Sequence, residues 1–245
     1  MASKSLRWEI LHEDEACIII NKPASLLSIP DRYDPEIPNL HSSLLQYREE
    51  IFVNHRLDKN TSGVILYSKT AEAHKAFSQM FEQGEMDKYY YALVHGTPAE
   101  NIGLIDLPLA ASKSGKKGMV VNPKGKQAQT KYRILKSWDL YSWLEIKLLT
   151  GRMHQIRVHM QSISCPIIAD SLYGDGEAFF LSQIKRKYRR SHSREEKALL
   201  NRQALHAYKL EFVHPLNGNN ITVEAEMPKD MKAVIYQLDK NLSDY

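Results

Sequence analysis

Residues 54–63, NHRLDKNTSG, stand directly before the apolar run VILYS at 64–68. Its small and polar residues favour a tight loop held by side-chain hydrogen bonds, and the apolar run predicts a β-strand. Within the loop, Asp58 has a cation on each side, Arg56 and Lys59. An aspartate in that setting stays ionised and suits a nucleophile or base, whereas a structural aspartate would only hydrogen-bond the turn. The loop alone leaves both roles open.

Outward from this loop, short apolar runs alternate with helical patterns. A helix is predicted from the capping residue Thr70 to Gly84, because apolar side chains recur there every three or four residues. Helical patterns also occupy 154–163 and 177–201, and further strands are predicted at 17–21, 89–94, 130–135 and 143–149. Strands interspersed with helices predict a mixed α/β fold (α+β), with residues 1–245 forming a single catalytic domain.

Composition places the chain among ordinary globular proteins. It has 245 residues, 43% hydrophobic and 25% charged, which is enough for a full core without covalent cross-links. Two cysteines, Cys17 and Cys165, exclude a disulfide framework and favour a reducing compartment. The longest apolar run in the first 30 residues is 16–20, too short for a signal segment or a membrane span. We therefore expect a soluble, cytoplasmic protein with no membrane partner.

Positive charge is concentrated in two segments. Residues 107–138 contain eight Lys or Arg and no acidic residue, and residues 175–205 contain eight against four. Clustered cations of this kind are typical of a surface that binds a polyanion such as RNA, although lysine-rich loops can also be merely solvated. The first segment, with its Ser-Gly-Lys-Lys-Gly stretch, predicts a basic loop or hairpin.

A second polar motif, TGRMHQIRVH at 150–159, follows the strand that ends at 149. A strand, a glycine turn and a helix start commonly present side chains and N–H groups to an anion. His154 and His159 are five residues apart, not the four of a helical zinc motif, so no metal site is predicted. The chain has no Walker loop, nucleophile elbow or dinucleotide-binding glycine pattern, so no cofactor is predicted.

The two long motifs, HRLDxxTSG at 55–63 and GRxHQIRVH at 151–159, resemble the signatures of the RluA-type pseudouridine synthases. Shorter motifs of that family occur in the same order, and the resemblance extends from about residue 14 to about residue 227. These shorter motifs are NKP at 21–23, KxYxALVxG at 88–96, DxxYG at 170–174, RQALHA at 202–207 and FxHP at 212–215. Ala169 departs from the family, which often has glycine before this aspartate.

The resemblance implies a largely antiparallel sheet with flanking helices, a central basic cleft and the isomerisation of uridine to pseudouridine in RNA. Asp58 matches the essential aspartate, and Arg157 matches the basic residue that pairs with it. Tyr90 matches the tyrosine that packs on the uracil ring, and Arg56 the arginine that fills the place of the extruded base. The other expected substrate contacts are His55, Arg152, His154 and Gln155, with Lys185, Arg186 and Lys187 in the basic run.

The sequence leaves alternatives open for the tyrosine, for the action of Asp58 and for the function. Spacing alone does not distinguish Tyr90 from Tyr89 and Tyr91, although alternation puts those two on the opposite face. Asp58 can attack the sugar carbon, attack the base ring or act as a base at the 2′ position. The expected partner is ribosomal RNA in preference to transfer RNA, and a monomer is expected. Because NKP at 21–23 begins the catalytic domain almost at once, we expect a stand-alone catalytic domain without the N-terminal RNA-binding domain of many relatives. The competing function is a non-catalytic RNA-binding or ribosome-assembly factor that retains the fold.

Overall fold

The computed structural model describes residues 8–112, 118–185, 188 and 195–242. The helices are α1 (Leu40–Tyr47), α2 (Ala71–Gln83), α3 (Gln155–Ser162) and α4 (Lys229–Asn241), with a short 3-10 helix at Leu181–Gln183. The strands are β1 (Glu9–Glu13), β2 (Cys17–Lys22), β3 (Phe52–Val53), β4 (Ser62–Ser68), β5 (Asp87–His95), β6 (Ile102–Asp106), β7 (Leu109–Ala111), β8 (Met119–Val121), β9 (Gln129–Trp138), β10 (Tyr141–Leu148), β11 (Leu205–Val213) and β12 (Asn220–Glu224). Among the described residues, no helix is both long enough and apolar enough to cross a membrane.

The chain divides into two compact units. The first unit contains the described residues up to Tyr89 together with Ala207–Glu226, and the second contains Tyr90–His206 and the described residues from Met227 onward. β5 and β11 each contribute residues to both units. The single catalytic domain expected from the sequence stays a prediction.

In the first unit, the strand order is β1-β2-β4-β11, with β3 on β4 and β12 on β11. The β1–β2, β2–β4, β3–β4 and β11–β12 pairs are antiparallel. Side chains on one face of this sheet, including Ile19, Leu66 and Phe212, pack with Phe77 of α2 in a buried cluster. Alternation in the strands and helical spacing in α2 therefore bring their apolar faces together.

In the second unit, the order β5-β10-β9-β6 continues along antiparallel pairs from β10 to β6. β7 and β8 form a separate antiparallel hairpin, whose residues Leu109 and Met119 pack with Val158 of α3 and with Tyr173. A mixed α/β fold with a mainly antiparallel sheet is thus confirmed. The hairpin also confirms the hairpin predicted within 107–138, for the part of that segment that is described.

The structure confirms the predicted helix at 70–84. Thr70 Oγ1 accepts a hydrogen bond from the N–H of Ala73 at the start of α2, and Gly84 caps its end with left-handed backbone. Ala73, Phe77 and Met80 are buried along one side, as their spacing requires.

The helix predicted over 177–201 is wrong where residues are described. Phe179 pairs with Leu200 as an isolated β-bridge, and Phe180 is extended. The N–H of Phe180 donates to the side-chain oxygen of Gln183, and only the 3-10 turn follows. The backbone hydrogen bonds in this segment therefore go to a distant partner and a side chain instead of a helical ladder.

Candidate active site

The loop that carries Asp58 lies in the first unit, between β3 and β4. The buried backbone of Leu57 is held on both sides by Ser28, whose Oγ donates to the Leu57 carbonyl at 2.8 Å and accepts from its N–H at 3.0 Å. On the other side of Asp58, its own carbonyl accepts the N–H of Thr61 at 3.0 Å and closes a turn. The half-buried Asp58 is therefore presented by a fixed backbone, next to an exposed Arg56.

A buried ammonium group, that of Lys22, is hydrogen-bonded to this loop. Lys22, at the end of β2, is fully buried, and its Nζ donates to the carbonyls of Pro23, Leu26 and Lys59 at 2.9, 2.7 and 3.2 Å. A charge is stable in such a place only when hydrogen-bonded. Lys22 thus ties β2 to the residue after Asp58, and it gives the NKP motif a structural reason.

His55 contributes an uncharged ring to the same loop. Its Nε2 accepts the N–H of Leu66 in β4 at 2.9 Å, and its ring lies 4.5 Å from the ring of Phe81 between centroids. Burial lowers the pKa of His55 to about 3, and the positive charge of Lys88 acts in the same direction. The bond from Leu66 needs the lone pair on Nε2, so the neutral ring with its proton on Nδ1 fits this geometry. His55 therefore holds the loop against β4.

The three tyrosines of β5 are separated by the alternation of the strand. Tyr90 is 7% exposed, whereas Tyr89 and Tyr91 are half-buried. The ring of Tyr89 lies against Lys209, with Nζ 4.3 Å from the ring centroid, and that of Tyr91 lies edge-on to Trp143. Tyr89 and Tyr91 thus have packing partners of their own on the other face of the strand.

The turn before α3 is organised by the buried amide of Gln155. Its Oε1 accepts the Thr150 hydroxyl and the Arg152 N–H, and its Nε2 donates to the Gln129 carbonyl and the Thr130 hydroxyl. All four contacts are within the protein, which supports a turn-shaping role for Gln155. Arg152 is exposed, and its Nε donates to the Gln127 carbonyl at 3.0 Å.

Arg157 is buried in α3 and forms a two-pronged ion pair with Asp170. Its Nε lies 2.7 Å from Oδ2 and its second guanidinium nitrogen 2.8 Å from Oδ1. Burial alone would raise the pKa of Asp170, but Arg157 and the N–H groups of Leu172 and Tyr173 hold that pKa below its usual value. The motifs did not indicate Asp170 as a partner of Arg157, and the expected pairing of Arg157 with Asp58 stays a prediction.

The two long motifs, at 55–63 and 151–159, lie within a match to a known family of proteins. A family model described as RNA pseudouridylate synthase matches residues 16–162. The chain belongs to the RNA pseudouridylate synthase family. It is accordingly an isomerase that converts uridine in RNA to pseudouridine, as the resemblance implied.

Pseudouridine synthases of bacteria are similar over most of the chain. The ribosomal large subunit pseudouridine synthase D of Zymomonas mobilis is 34% identical over 244 residues, which cover 94% of this chain and 72% of that protein. The protein of the same name from Escherichia coli K12 is 33% identical, covering 93% and 69%. An uncharacterized RNA pseudouridine synthase of Bacillus subtilis, YhcT, is 35% identical, covering 91% and 70%.

A solved pseudouridylate synthase has the same fold. The structure of human RNA pseudouridylate synthase domain containing 1 matches with a TM-score of 0.71 at 22% identity, covering 100% of this chain and 91% of that one. Membership of the pseudouridine synthase family favours the enzyme over the non-catalytic RNA-binding factor.

The predicted site residues of this synthase are divided between the two units. His55, Arg56 and Asp58 lie in the first unit. The second unit contains the remaining described site residues, namely Tyr90, Arg152, His154, Gln155, Arg157 and Lys185. The second unit brings Arg157 and His154 to a common neighbour, because Tyr173 contacts both. Lys185 is exposed, whereas Arg186 and Lys187 lie outside the described residues.

Among the described residues, one group has side chains arranged as metal ligands can be. His12, Asp14 and Cys17 in the first unit have ligand atoms within 4.8 Å of one another. Asp14 Oδ1 already accepts the N–H groups of Ala16 and Cys17, both at 2.8 Å. Burial, with the nearby carboxylate of Asp14, raises the pKa of the Cys17 thiol well above its usual value. The two bonds that Asp14 accepts give this group a structural role in the turn before β2.

Residues that support the site without belonging to its predicted chemistry were not indicated by local patterns. Lys22 and Asp170 stood in quoted motifs, but nothing in the sequence showed what their charges contact. Each of the two follows a run of mainly apolar residues, CIIIN before Lys22 and CPIIA before Asp170. This is the signal that could have found them, since a charge that becomes buried with such a run requires partners.

Proposed function

We propose that the enzyme modifies ribosomal RNA, with Asp58 as the group that starts cleavage of the uridine C–N bond. The observation that carries the assignment of Asp58 is its loop, which the Ser28 contacts and the Thr61 turn hold in one shape. Relatives at 33–34% identity named as ribosomal large subunit synthases support ribosomal over transfer RNA. A ribosomal substrate in turn supports the cytoplasm as the place of action.

The reaction balances without a redox partner. The bond between N1 of uracil and the sugar breaks, the freed base rotates, and C5 bonds to the same sugar carbon. C5 then loses its proton and N1 gains one, so no electrons enter or leave. Asp58 serves as nucleophile or base in the first step, and the loop keeps its carboxylate oriented for that task.

The target base must leave its stack to be reached, which costs a few kcal/mol. The exposed guanidinium of Arg56 is planar and can stack where the base has left, and an aromatic ring such as Tyr90 offers a face to the uracil. Arg157 is the basic residue that the motif match pairs with Asp58. Its two bonds to Asp170 support this role, because they hold the guanidinium in one orientation.

Release of tritium from C5 of uridine tests the role of Asp58. We would compare the wild type with Asp58→Asn, which keeps the shape and removes the charge, and with Asp139→Asn as a control at an exposed aspartate in the turn before β10. Asp58→Asn is expected to lower the rate by roughly 10⁴-fold or more, as removal of a nucleophile does, and Asp139→Asn to leave it unchanged. Equal release by Asp58→Asn would remove Asp58 as the catalyst.

The same assay identifies the RNA. Ribosomal and transfer RNA, separated by size and taken from cells that lack the protein, are offered separately. Release from the ribosomal fraction alone supports the proposed target, and release from transfer RNA alone contradicts it. No release from either fraction, with tight binding retained, would favour the non-catalytic binding factor.

Two substitutions at Tyr90 separate stacking from proton removal. Tyr90→Phe keeps the ring and removes the hydroxyl, whereas Tyr90→Leu removes both. If the ring packs on uracil, Tyr90→Leu is expected to lower the rate much more than Tyr90→Phe. A large, equal loss in both variants would show that the hydroxyl, and not the ring, is needed.

A further inference from the structure

One tyrosine of the second unit contacts both the buried arginine of α3 and the β7–β8 hairpin. Tyr173 is 7% exposed and lies in the DxxYG motif, three residues after Asp170. Its ring covers Arg157, and its hydroxyl meets the first residue of β8.

The first contact places the Tyr173 ring against the Arg157 guanidinium, which already has two bonds to Asp170. The guanidinium carbon lies 5.0 Å from the centre of the Tyr173 ring, within the range of a cation–π contact. Asp170 joins the two, because its Oδ1 accepts from Arg157 at 2.8 Å and from the Tyr173 N–H at 3.1 Å. The ring is therefore anchored by the carboxylate that orients the arginine.

The second contact connects the Tyr173 hydroxyl to the hairpin and to His154. The N–H of Met119 in β8 donates to this hydroxyl at 2.7 Å, and His154 Nδ1 lies 2.9 Å from it. A hydroxyl that accepts from Met119 can donate its own proton to Nδ1, which leaves the His154 proton on Nε2. One hydroxyl thus connects the hairpin backbone with a predicted substrate contact at the start of α3.

The fit between the hairpin and Tyr173 leaves no spare room. Gly118, directly before β8, has φ of +129°, and a Cβ there would lie 2.7 Å from the tyrosine hydroxyl. Met119 and Leu109 of the hairpin pack with Tyr173 and Val158 in one apolar cluster. The start of β8 is therefore placed by Tyr173 at close range.

We propose that Tyr173 is a positioning residue that couples the β7–β8 hairpin to Arg157, its hydroxyl holding the hairpin and its ring holding the guanidinium. The importance of Arg157 rests on the proposed function. Because the hairpin belongs to the basic segment 107–138, RNA that contacts the hairpin then acts on a strand that is tied, through Tyr173, to Arg157. Tyr173 itself is buried and is not expected to touch the substrate.

Two substitutions separate the two halves of this role. Tyr173→Phe removes the hydroxyl and keeps the ring, whereas Tyr173→Leu removes both. Tyr236→Phe serves as the control, because Tyr236 is exposed on α4. The first readout needs no RNA and consists of hydrogen exchange at the Met119 amide and the ¹⁵N–H signal of the Arg157 Nε, assigned by its loss in Arg157→Lys.

Tyr173→Phe is expected to speed exchange of the Met119 amide by roughly tenfold or more, since the amide loses its acceptor, and to leave the Arg157 signal in place. Tyr173→Leu is expected to change both signals. Unchanged Met119 exchange in Tyr173→Phe, or an unchanged Arg157 signal in Tyr173→Leu, overturns the coupling. Circular dichroism of each variant reports whether it has folded.

Kinetics with RNA add a readout that general loosening of the structure does not produce. Tyr173→Phe is expected to raise KM by roughly three- to tenfold with kcat within about twofold, the size of one hydrogen bond. Tyr173→Leu is expected to lower kcat as well, by roughly tenfold. Equal losses of kcat in both variants contradict the division of roles. If the wild type forms no pseudouridine while both signals respond as stated, the positioning role stands and the proposed function fails.

Discussion

Among single residues, His55 is a motif position whose protonation state is determined by burial. Its ring is held neutral by burial and by the bond from Leu66, with a pKa of about 3. In the unfolded chain the pKa of His55 is near 6.5, so below that pH the unfolded state binds a proton at His55 that the folded state does not bind. The stability that His55 contributes is therefore complete above about pH 6.5 and is lost as pH falls toward 3.

We expect the unfolding free energy of the wild type to fall more steeply with decreasing pH than that of His55→Gln, by about 1 kcal/mol per unit between pH 6.5 and 4.5. Glutamine retains an acceptor for the Leu66 N–H and does not titrate. Urea unfolding at a series of pH values measures the difference. His41→Gln is the control at a second histidine, whose Nε2 contacts the Ile51 carbonyl at 3.0 Å instead of accepting an N–H, and this variant is expected to retain the wild-type slope. Parallel curves for the wild type and His55→Gln would contradict this interpretation.

The backbone at Ala169 explains why the family often has glycine at this position. It has φ of +56°, directly before Asp170, and an alanine in left-handed conformation costs about 1 kcal/mol. Ala169→Gly is expected to raise the unfolding free energy by about 0.5–1 kcal/mol. Ala178→Gly, at a residue without positive φ, is expected to lower it by a similar amount. Chemical denaturation checks both, and a loss of stability in Ala169→Gly would refute the argument.

At the scale of elements, Gly63 permits β4 to lie against β11. Its φ is +113°, and a Cβ would lie 2.0 Å from the carbonyl oxygen of Ala207. Gly63→Ala must therefore shift backbone, with an expected cost of about 3 kcal/mol or more. Gly218→Ala has the same kind of φ but open space, so only about 1 kcal/mol is expected. Similar losses in the two variants, measured by urea unfolding, would show that the close approach does not matter.

α4 is fixed by an ion pair whose effect depends on burial. Arg202, 5% exposed, binds both oxygens of Asp230 in the first turn of α4 at 2.7 and 2.9 Å. Asp230→Asn leaves this buried cation poorly compensated, so a loss of about 2 kcal/mol is expected, reduced because Asp230 is one-third exposed. Glu145→Gln breaks the exposed pair with Arg133 and should cost less than about 1 kcal/mol. Thermal unfolding tests the order, and a larger loss for Glu145→Gln would reverse it.

At the scale of the whole molecule, the sequence predicted those parts of the fold that depend on neighbours along the chain. Thr70 and Gly84 bound α2 through bonds within a few residues, and the alternation in β10 needs no distant partner. The predicted helix over 177–201 failed because Phe179 pairs with Leu200, a contact across 21 residues that no local pattern contains. Strands as short as β3 were missed for the same reason.

The residues of the candidate site likewise include some that the sequence indicated and some that it did not. Asp58, Tyr90 and Arg157 were indicated by their motifs, because the resemblance assigns roles to these positions, and those roles stay predictions. Their supports were not indicated, since Lys22 holds the residue after Asp58 from 37 positions away and Asp170 holds Arg157 from 13. A motif predicts which side chain meets the substrate, whereas the residues that orient that side chain are known only from the packing.

Charge is the property of the whole chain that bears on RNA, because RNA is a polyanion. The run at 185–190 contains five Lys or Arg, of which Lys185 is described and exposed. If these cations bind phosphates, their replacement by glutamine weakens RNA binding, and the slope of log affinity against log salt falls by about 0.7–0.9 for each phosphate that is no longer neutralised. The control replaces Lys229, Lys232 and Lys240 of α4, which are also exposed. Titrations of RNA at several salt concentrations measure both slopes. A slope unchanged by the five substitutions, or lowered equally by the control, would mean that this run is a solvated surface and that phosphates are bound elsewhere.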